Sequence, residues 1–279
     1  MSITNDALLD DLLQQKLIKM KLFCIDNNIG NYTKQYETFK RVNNILRGVQ
    51  RQVDKFKDSQ PIKILDLGCG DGFNAFNLYY NLKYADMHIT GIDFIEMDIF
   101  YANKTKEYLN IGDDKIVFSI GDVCGLKLSP GTFDIVVFSE VIEHLSDPEK
   151  SVREIARVLK NGGILVLSTP NAYNPLLDIA RKVKNFFFSK NDKPKSAVEW
   201  HGKYPGHIST MSVTQLCKLF QRNGFKVVDL KRGSILYGSH SLDKHPVISA
   251  FIIIFDVILD HLPFTRSITE NITMVLKKE

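Results

Sequence analysis

Ile64-Leu65-Asp66-Leu67-Gly68-Cys69-Gly70-Asp71-Gly72 is the stretch on which the rest of the chain depends. Preceded by Pro61-Ile62-Lys63, it is an apolar run that stops at three alternating glycines and leads into a helix-like segment, Phe73 to Leu82. Strand, glycine turn and helix in succession form the nucleotide-binding corner of an α/β sheet, where ligands sit beyond the carboxyl ends of strands. Glycine accepts positive φ and lets a ligand lie against bare backbone.

Spacing and charge narrow the ligand. A dinucleotide fingerprint, G-x-G-x-x-G, would place its third glycine at Phe73, whereas this loop runs G-x-G-x-G. A phosphate cradle avoids carboxylates, yet Asp66 and Asp71 flank this one. Two acids beside exposed amides suit a cationic ligand without phosphate. S-adenosylmethionine (SAM), with its ammonium, sulfonium, ribose and adenine, meets that description.

Working outward, from Ile62 strand and helix patterns alternate, which implies a parallel sheet covered on both faces. Strands are predicted over 62–67, 87–92, 116–120, 133–138, 163–168, 226–231 and 271–277. Ser146-Asp147-Pro148 opens a helix, with a cap and a proline at its first position, and Asn161-Gly162-Gly163 is read as its stop. Upstream, Leu8, Leu9, Leu12, Leu13, Leu17 and Met20 recur at helical spacing, and a second helix is predicted over Thr33 to Lys57. Residues 1–58 are therefore read as an N-terminal helical cap, which lies over the cofactor cleft or packs on the sheet.

Composition sets the class. The chain has 279 residues, 44% apolar and 24% charged, with a net charge of +4. Those are the proportions of an ordinary globular protein, and the charge is too mild to argue for nucleic acid. The four cysteines, Cys24, Cys69, Cys124 and Cys217, have neither metal nor disulfide spacing, which fits a reducing, cytoplasmic setting. The acidic start carries no signal-peptide pattern. The longest apolar run, Val247 to Phe255, is about half the ~20 residues of a spanning helix.

The predicted strand ends carry more acids. Asp93 follows the second strand and is placed to accept ribose hydroxyls, with Phe94 next to it to stack on a purine. Gly121-Asp122-Val123 ends the third strand, where Asp122 can accept from an exocyclic amine, and Ser139 ends the fourth, a cofactor contact expected near the ligand's reactive end. Together these residues make 62–168 resemble a class I SAM-dependent methyltransferase. The motifs that carry the resemblance are Leu65-Asp66-Leu67-Gly68-Cys69-Gly70, Asp93, Gly121-Asp122 and Leu159-Lys160-Asn161-Gly162-Gly163. The resemblance implies a Rossmann-like, doubly wound sheet of seven strands with the last antiparallel. It also implies ribose at Asp93, adenine at Asp122 with Val123, and the methionine part along Asp66, Gly68, Cys69, Gly70 and Gly72.

The acceptor end is expected at Ser139-Glu140-Val141-Ile142-Glu143-His144-Leu145. If helical, Glu140, Glu143 and His144 share a face at i, i+3 and i+4. His207, just before a predicted helix Ser212 to Asn223, completes a set of two carboxylates and two imidazoles that suits Mg, Mn, Fe, Co or Zn. This constellation is similar to two branches of the family, the ubiquinone-biosynthesis O-methyltransferases and the small-RNA 3′-terminal 2′-O-methyltransferases. The resemblance implies a divalent metal on Glu140, Glu143, His144 and His207. Without metal, His144 or His207 is the expected general base.

Two stretches bear on the acceptor. Residues 174–190 mix Leu176, Leu177, Ile179 and Phe186 to Phe188 with Arg181, Lys182, Lys184 and Lys190, the pattern of a helix lying on an anionic membrane. Pro246 to Pro263 is mostly apolar and is read as a packing or lid helix. Residues 59–279 are thus the methyltransferase domain, with substrate or lid insertions at 174–206 and 233–265. Trp200, His201 and Tyr204 are weaker candidates on the first of these. The expected acceptor is small or lipid-linked and bears a hydroxyl. RNA methylation and a non-catalytic partner subunit are the alternatives.

Overall fold

A computed structural model describes residues 32–55, 61–82, 86–172, 206–234, 245–262, 265 and 269–279. Seven strands make one sheet in the order β3-β2-β1-β4-β5-β7-β6. They are β1 (Ile62–Leu67), β2 (Met87–Asp93), β3 (Ile116–Ile120), β4 (Phe133–Ser139), β5 (Leu159–Pro170), β6 (Phe225–Arg232) and β7 (Asn271–Lys278). β1 to β5 run parallel, and β7 lies antiparallel between β5 and β6. The order reverses between β1 and β4, so a crevice opens beyond their carboxyl ends.

The central strands are buried on both faces. Ile64, Ile135, Val137 and Val166 point into one apolar cluster, while Leu65, Val136, Phe138 and Leu167 point into the other. That period of two, apolar on both sides, is the mark of a covered parallel strand. Helices α1 (Tyr32–Val53), α2 (Phe73–Asn81) and α3 (Glu96–Tyr108) supply the first cluster. Helices α4 (Pro148–Val158) and α5 (Val213–Arg222) supply the second. The last helix, α6 (Pro246–Leu259), packs against α1.

Local chemistry explains the ends. Asp147 accepts the Lys150 N–H and Pro148 follows it, as the sequence predicts for the start of α4. Ser212 and Gln215 close a reciprocal cap at the start of α5. Gly48 lets α1 settle onto the sheet, since a Cβ there would stand 3.2 Å from Val275 and 3.3 Å from Val166.

Two expectations need correcting. α4 ends at Val158, and Asn161-Gly162-Gly163 lies within β5 rather than stopping a helix. Leu159 pairs with Phe133 and Ile164 with Ile135, so the glycines occupy an irregularity in the register. Gly162 has φ 77, and a Cβ on Gly163 would meet the Lys160 carbonyl at 2.8 Å. Residues 139–145 are not a helix either. Glu140 has φ 58, and only Ile142–His144 forms a single 3-10 turn.

Candidate active site

The glycine loop closes on itself by main-chain bonds. Gly68 and Cys69 both donate to the Ile92 carbonyl of β2, at 2.7 and 3.0 Å, and Gly72 donates to the Cys69 carbonyl at 3.0 Å. All three glycines have positive φ, 73, 53 and 87, but their surroundings differ. A Cβ on Gly68 would fall 2.3 Å from a methyl of Val141, and one on Gly72 would meet Phe76 and Phe118. Gly70 alone of the three faces open space. Gly68 and Gly72 thus serve close packing, and Gly70 presents bare backbone to the crevice. The Cys69 side chain is buried under the loop, which pushes its thiol pKa up, so it offers the crevice no side-chain contact.

Asp66 stands at the end of β1 with no exposed surface, and neither carboxylate oxygen makes a hydrogen bond. Burial raises its pKa from 3.8 to about 7, and the Asp93 carboxylate adds to the rise. The Ala75 amide pulls the other way without closing a bond of normal geometry. Asp93 is held differently: Oδ2 accepts from Gly70 N–H at 2.8 Å and Oδ1 from Ile95 N–H at 3.0 Å. Its position is fixed while each oxygen keeps a further lone pair.

At the far end of the crevice, Phe94 is 61% exposed, and Ile120, next to Asp93's partner strand end, is 58% exposed. They offer two apolar surfaces beside the acids, and Ile120 was not anticipated from sequence. Asp122 is exposed and accepts the Cys124 N–H at 2.8 Å. The Val123 side chain belongs to the core, so only its backbone borders the site.

The acceptor end is built where β4 and β5 finish and the antiparallel β7 begins. Ser139 Oγ lies 3.2 Å from Ser168 Oγ and accepts from Arg41 Nη1 of α1 at 3.2 Å. Ser168 Oγ and Asn271 Nδ2 both donate to Glu140 Oε1, at 2.7 and 2.9 Å. Arg41 and Asn271 were missed in the sequence because they sit on elements far from Glu140 in the chain. Glu143, 1% exposed, accepts from Thr169 Oγ1 at 3.0 Å. Its burial, reinforced by the Glu140 carboxylate, raises its pKa to about 8.

Residues 207–209 fold over this corner. Ile208 and Ser209 N–H both donate to the Glu143 carbonyl at 2.9 Å, and Ser209 Oγ donates to that of Leu145 at 2.6 Å. His207 is thereby set edge-on to His144, with ring centroids 5.1 Å apart. Its pKa is lowered by burial and by His144, against the pull of Glu140. One ligand atom from each of Glu143, His144 and His207 lies within 4.8 Å of the others, spacing suited to a metal ion. Glu140, expected as a fourth ligand, is outside that group and engaged by Ser168 and Asn271. Trp200, His201, Tyr204 and the basic stretch 174–190 lie outside the described residues.

Comparison with known proteins gives the family. Residues 35–230 match the family model for a methyltransferase domain. The chain belongs to that methyltransferase-domain family. A 27-O-demethylrifamycin SV methyltransferase from Amycolatopsis mediterranei is 32% identical over 121 residues, 42% of this chain and 43% of that one. A ubiquinone biosynthesis O-methyltransferase from Neisseria meningitidis is 25% identical over 184 residues, 64% of this chain and 70% of that one. The chain spans about half or less of the length of the first curated relatives it matches. Among solved structures, the cyclase SpnF superposes with a TM-score of 0.57 at 16% identity, covering 97% of this chain and 94% of that one. A likeness at that distance establishes architecture, not reaction.

The pocket of this methyltransferase-domain protein fits SAM on its own observations. Asp66 is a buried carboxyl lacking a partner, matched by a ligand ammonium. Gly70 leaves the space a Cβ would fill.

Proposed function

We propose that the protein transfers methyl from SAM to a hydroxyl of an apolar acceptor, with a divalent cation held by Glu143, His144 and His207. The observation that carries the reading is the Asp66 carboxyl, wholly buried and unpartnered at the switch point of the sheet. When bound, SAM supplies an electrophilic methyl group on a cationic sulfur. Asp66 would balance the donor's ammonium, Asp93 would accept from ribose hydroxyls, and Phe94 with Ile120 would cover the purine. Gly70 would admit the methionine backbone.

At the acceptor end, a divalent cation, when bound, would lower the pKa of a ligating hydroxyl. Burial favours the neutral, ligand-ready imidazole of His207, whereas Glu143, which burial holds protonated, would release its proton to the cation. Without the cation, His207, whose burial favours the neutral imidazole, would take the acceptor's proton. Arg41, anchored on Ser139, brings positive charge to the same end. The names of two relatives, one acting on a rifamycin and one in ubiquinone biosynthesis, support an apolar, hydroxylated acceptor.

The test is methyl transfer from labelled SAM to catechols, lipid-linked sugars and short RNAs, run before and after chelation. Transfer to a catechol or lipid-linked hydroxyl, lost with EDTA and restored by a divalent metal, is expected. Transfer to RNA alone would replace the acceptor, and undiminished activity in metal-free protein would remove the cation. No SAM binding by calorimetry would sink the reading altogether.

A further inference from the structure

α6 is amphipathic in the reverse sense. Ser249 and Asp256, at i and i+7, form its inward stripe and are 1% and 0% exposed, and Asp260, capping the helix end at i+11, lies on the same side. Asp256 accepts from Lys40 Nζ at 2.6 Å, from Tyr36 Oη at 2.7 Å and from Arg232 Nη2 at 2.7 Å. Asp260 accepts from Lys40 and Arg232 as well, at 2.7 and 2.8 Å. On the opposite side stand Val247, Phe251, Ile254, Phe255 and Ile258, at i, i+4, i+7, i+8 and i+11, exposed by 67, 69, 57, 52 and 55%. A surface helix in water is built the other way round. An apolar face of this breadth marks an interaction surface.

We propose that this face rests on a lipid bilayer and that the protein meets its acceptor there. The docking stands on the helix itself, and only the acceptor rests on the function proposed above. Charge is the first argument for a bilayer. Asp256 is buried and Asp260, just past the helix end, is tied to Lys40 and Arg232, so the apolar face itself carries no carboxylate to repel anionic headgroups. His245 and His261 are exposed at its two ends, and the chain carries a net charge of +4.

The second argument is the chemistry of the face. With Ser249 turned inward, the exposed side presents hydrocarbon and rings. A protein interface needs roughly one hydrogen bond per 100–200 Å², whereas acyl chains need none. Length is the third. Fourteen residues reach about 21 Å, short of the ~30 Å hydrocarbon core. No described helix is long and apolar enough to cross a membrane, so α6 lies along the interface. The surface is also joined to the site: Lys40 holds α6, and the next residue of α1, Arg41, reaches Ser139.

Flotation of the full chain tests this, using phosphatidylcholine vesicles with and without phosphatidylglycerol. Wild type is compared with the double variant Phe251→Asp, Ile254→Asp. SAM calorimetry on both keeps a folding defect from being mistaken for lost docking. Wild type is expected to float, more so with phosphatidylglycerol. The variant's partitioning should fall about a hundredfold, since each side chain of that size is worth at least tenfold, with SAM affinity unchanged. Three results overturn the proposal: wild type that stays down with both vesicles, a variant that floats equally well, or a lipid-free dimer that the variant dissolves. Because flotation needs no acceptor, docking and the acceptor assignment can fail separately.

Discussion

At the scale of single residues, Asp66 makes the sharpest prediction. The folded protein holds its proton to about pH 7, whereas the ordinary value is 3.8. Folded protein therefore binds more protons than unfolded chain in that window, and stability falls as pH rises through it. The climb corresponds to on the order of 4 kcal/mol. A cationic ligand reverses the preference, so SAM affinity should rise with pH up to about 7 and then level off. Calorimetry in buffers of different ionisation enthalpy should show proton release on binding below that pH. Asp66→Asn should flatten both profiles and weaken SAM on the order of a hundredfold. A pH-independent affinity in the native protein would remove Asp66 from the ligand's charge balance.

The glycines offer a contrast on the same scale. Gly68→Ala drives a methyl into Val141 and should cost roughly 3 kcal/mol or more of stability. Gly70→Ala meets nothing, so its cost should stay near the ~1–2 kcal/mol of a left-handed alanine. Its damage should fall on SAM affinity instead. Thermal melts and calorimetry on the two variants separate these outcomes.

Elements show how much the sequence could say. All seven strands overlap the stretches where the sequence places them, because the central strands of a sheet covered on both faces read as short continuous apolar runs between helical patterns. Asp66, Asp93 and the glycines were legible for the same reason, since strand ends deliver residues to one crevice. The corner at 139–145 was not. Its Glu-x-x-Glu-His spacing matches a helix, but Glu140 is held at φ 58 by contacts to Ser168 and Asn271, and no local signal encodes those partners. Arg41 escaped notice because a helix on the sheet carries several basic residues, and only packing selects one. At this corner Glu143 predicts its own pH effect. With a pKa raised to about 8, its charge costs stability as pH rises from the ordinary 4.5. Glu143→Gln should flatten the metal-free melting profile across that range. The same variant should abolish any gain in melting temperature from added divalent ions.

For the whole molecule, the ionic knot of Lys40, Arg232, Asp256 and Asp260 joins α1, β6 and α6. Burial opposes charge on Asp256, yet Lys40 and its partners hold its pKa below the usual range. Asp256→Ala would leave two largely buried cations short of a partner, which typically costs about 3–5 kcal/mol. That should lower the melting temperature by roughly 10 °C. Limited proteolysis should then cut first around α6. A variant as stable and as resistant as wild type would mean that apolar contacts alone hold α6.

The seat of β7 has a consequence for how the chain is made. Residues 271–278 fill the slot between β5 and β6, although they are translated after both. Until they leave the ribosome, β5 and β6 each carry an unsatisfied main-chain edge, the usual template for association with other nascent chains. Synthesis that halts short of residue 271 would therefore yield a sticky fragment and not a smaller working enzyme.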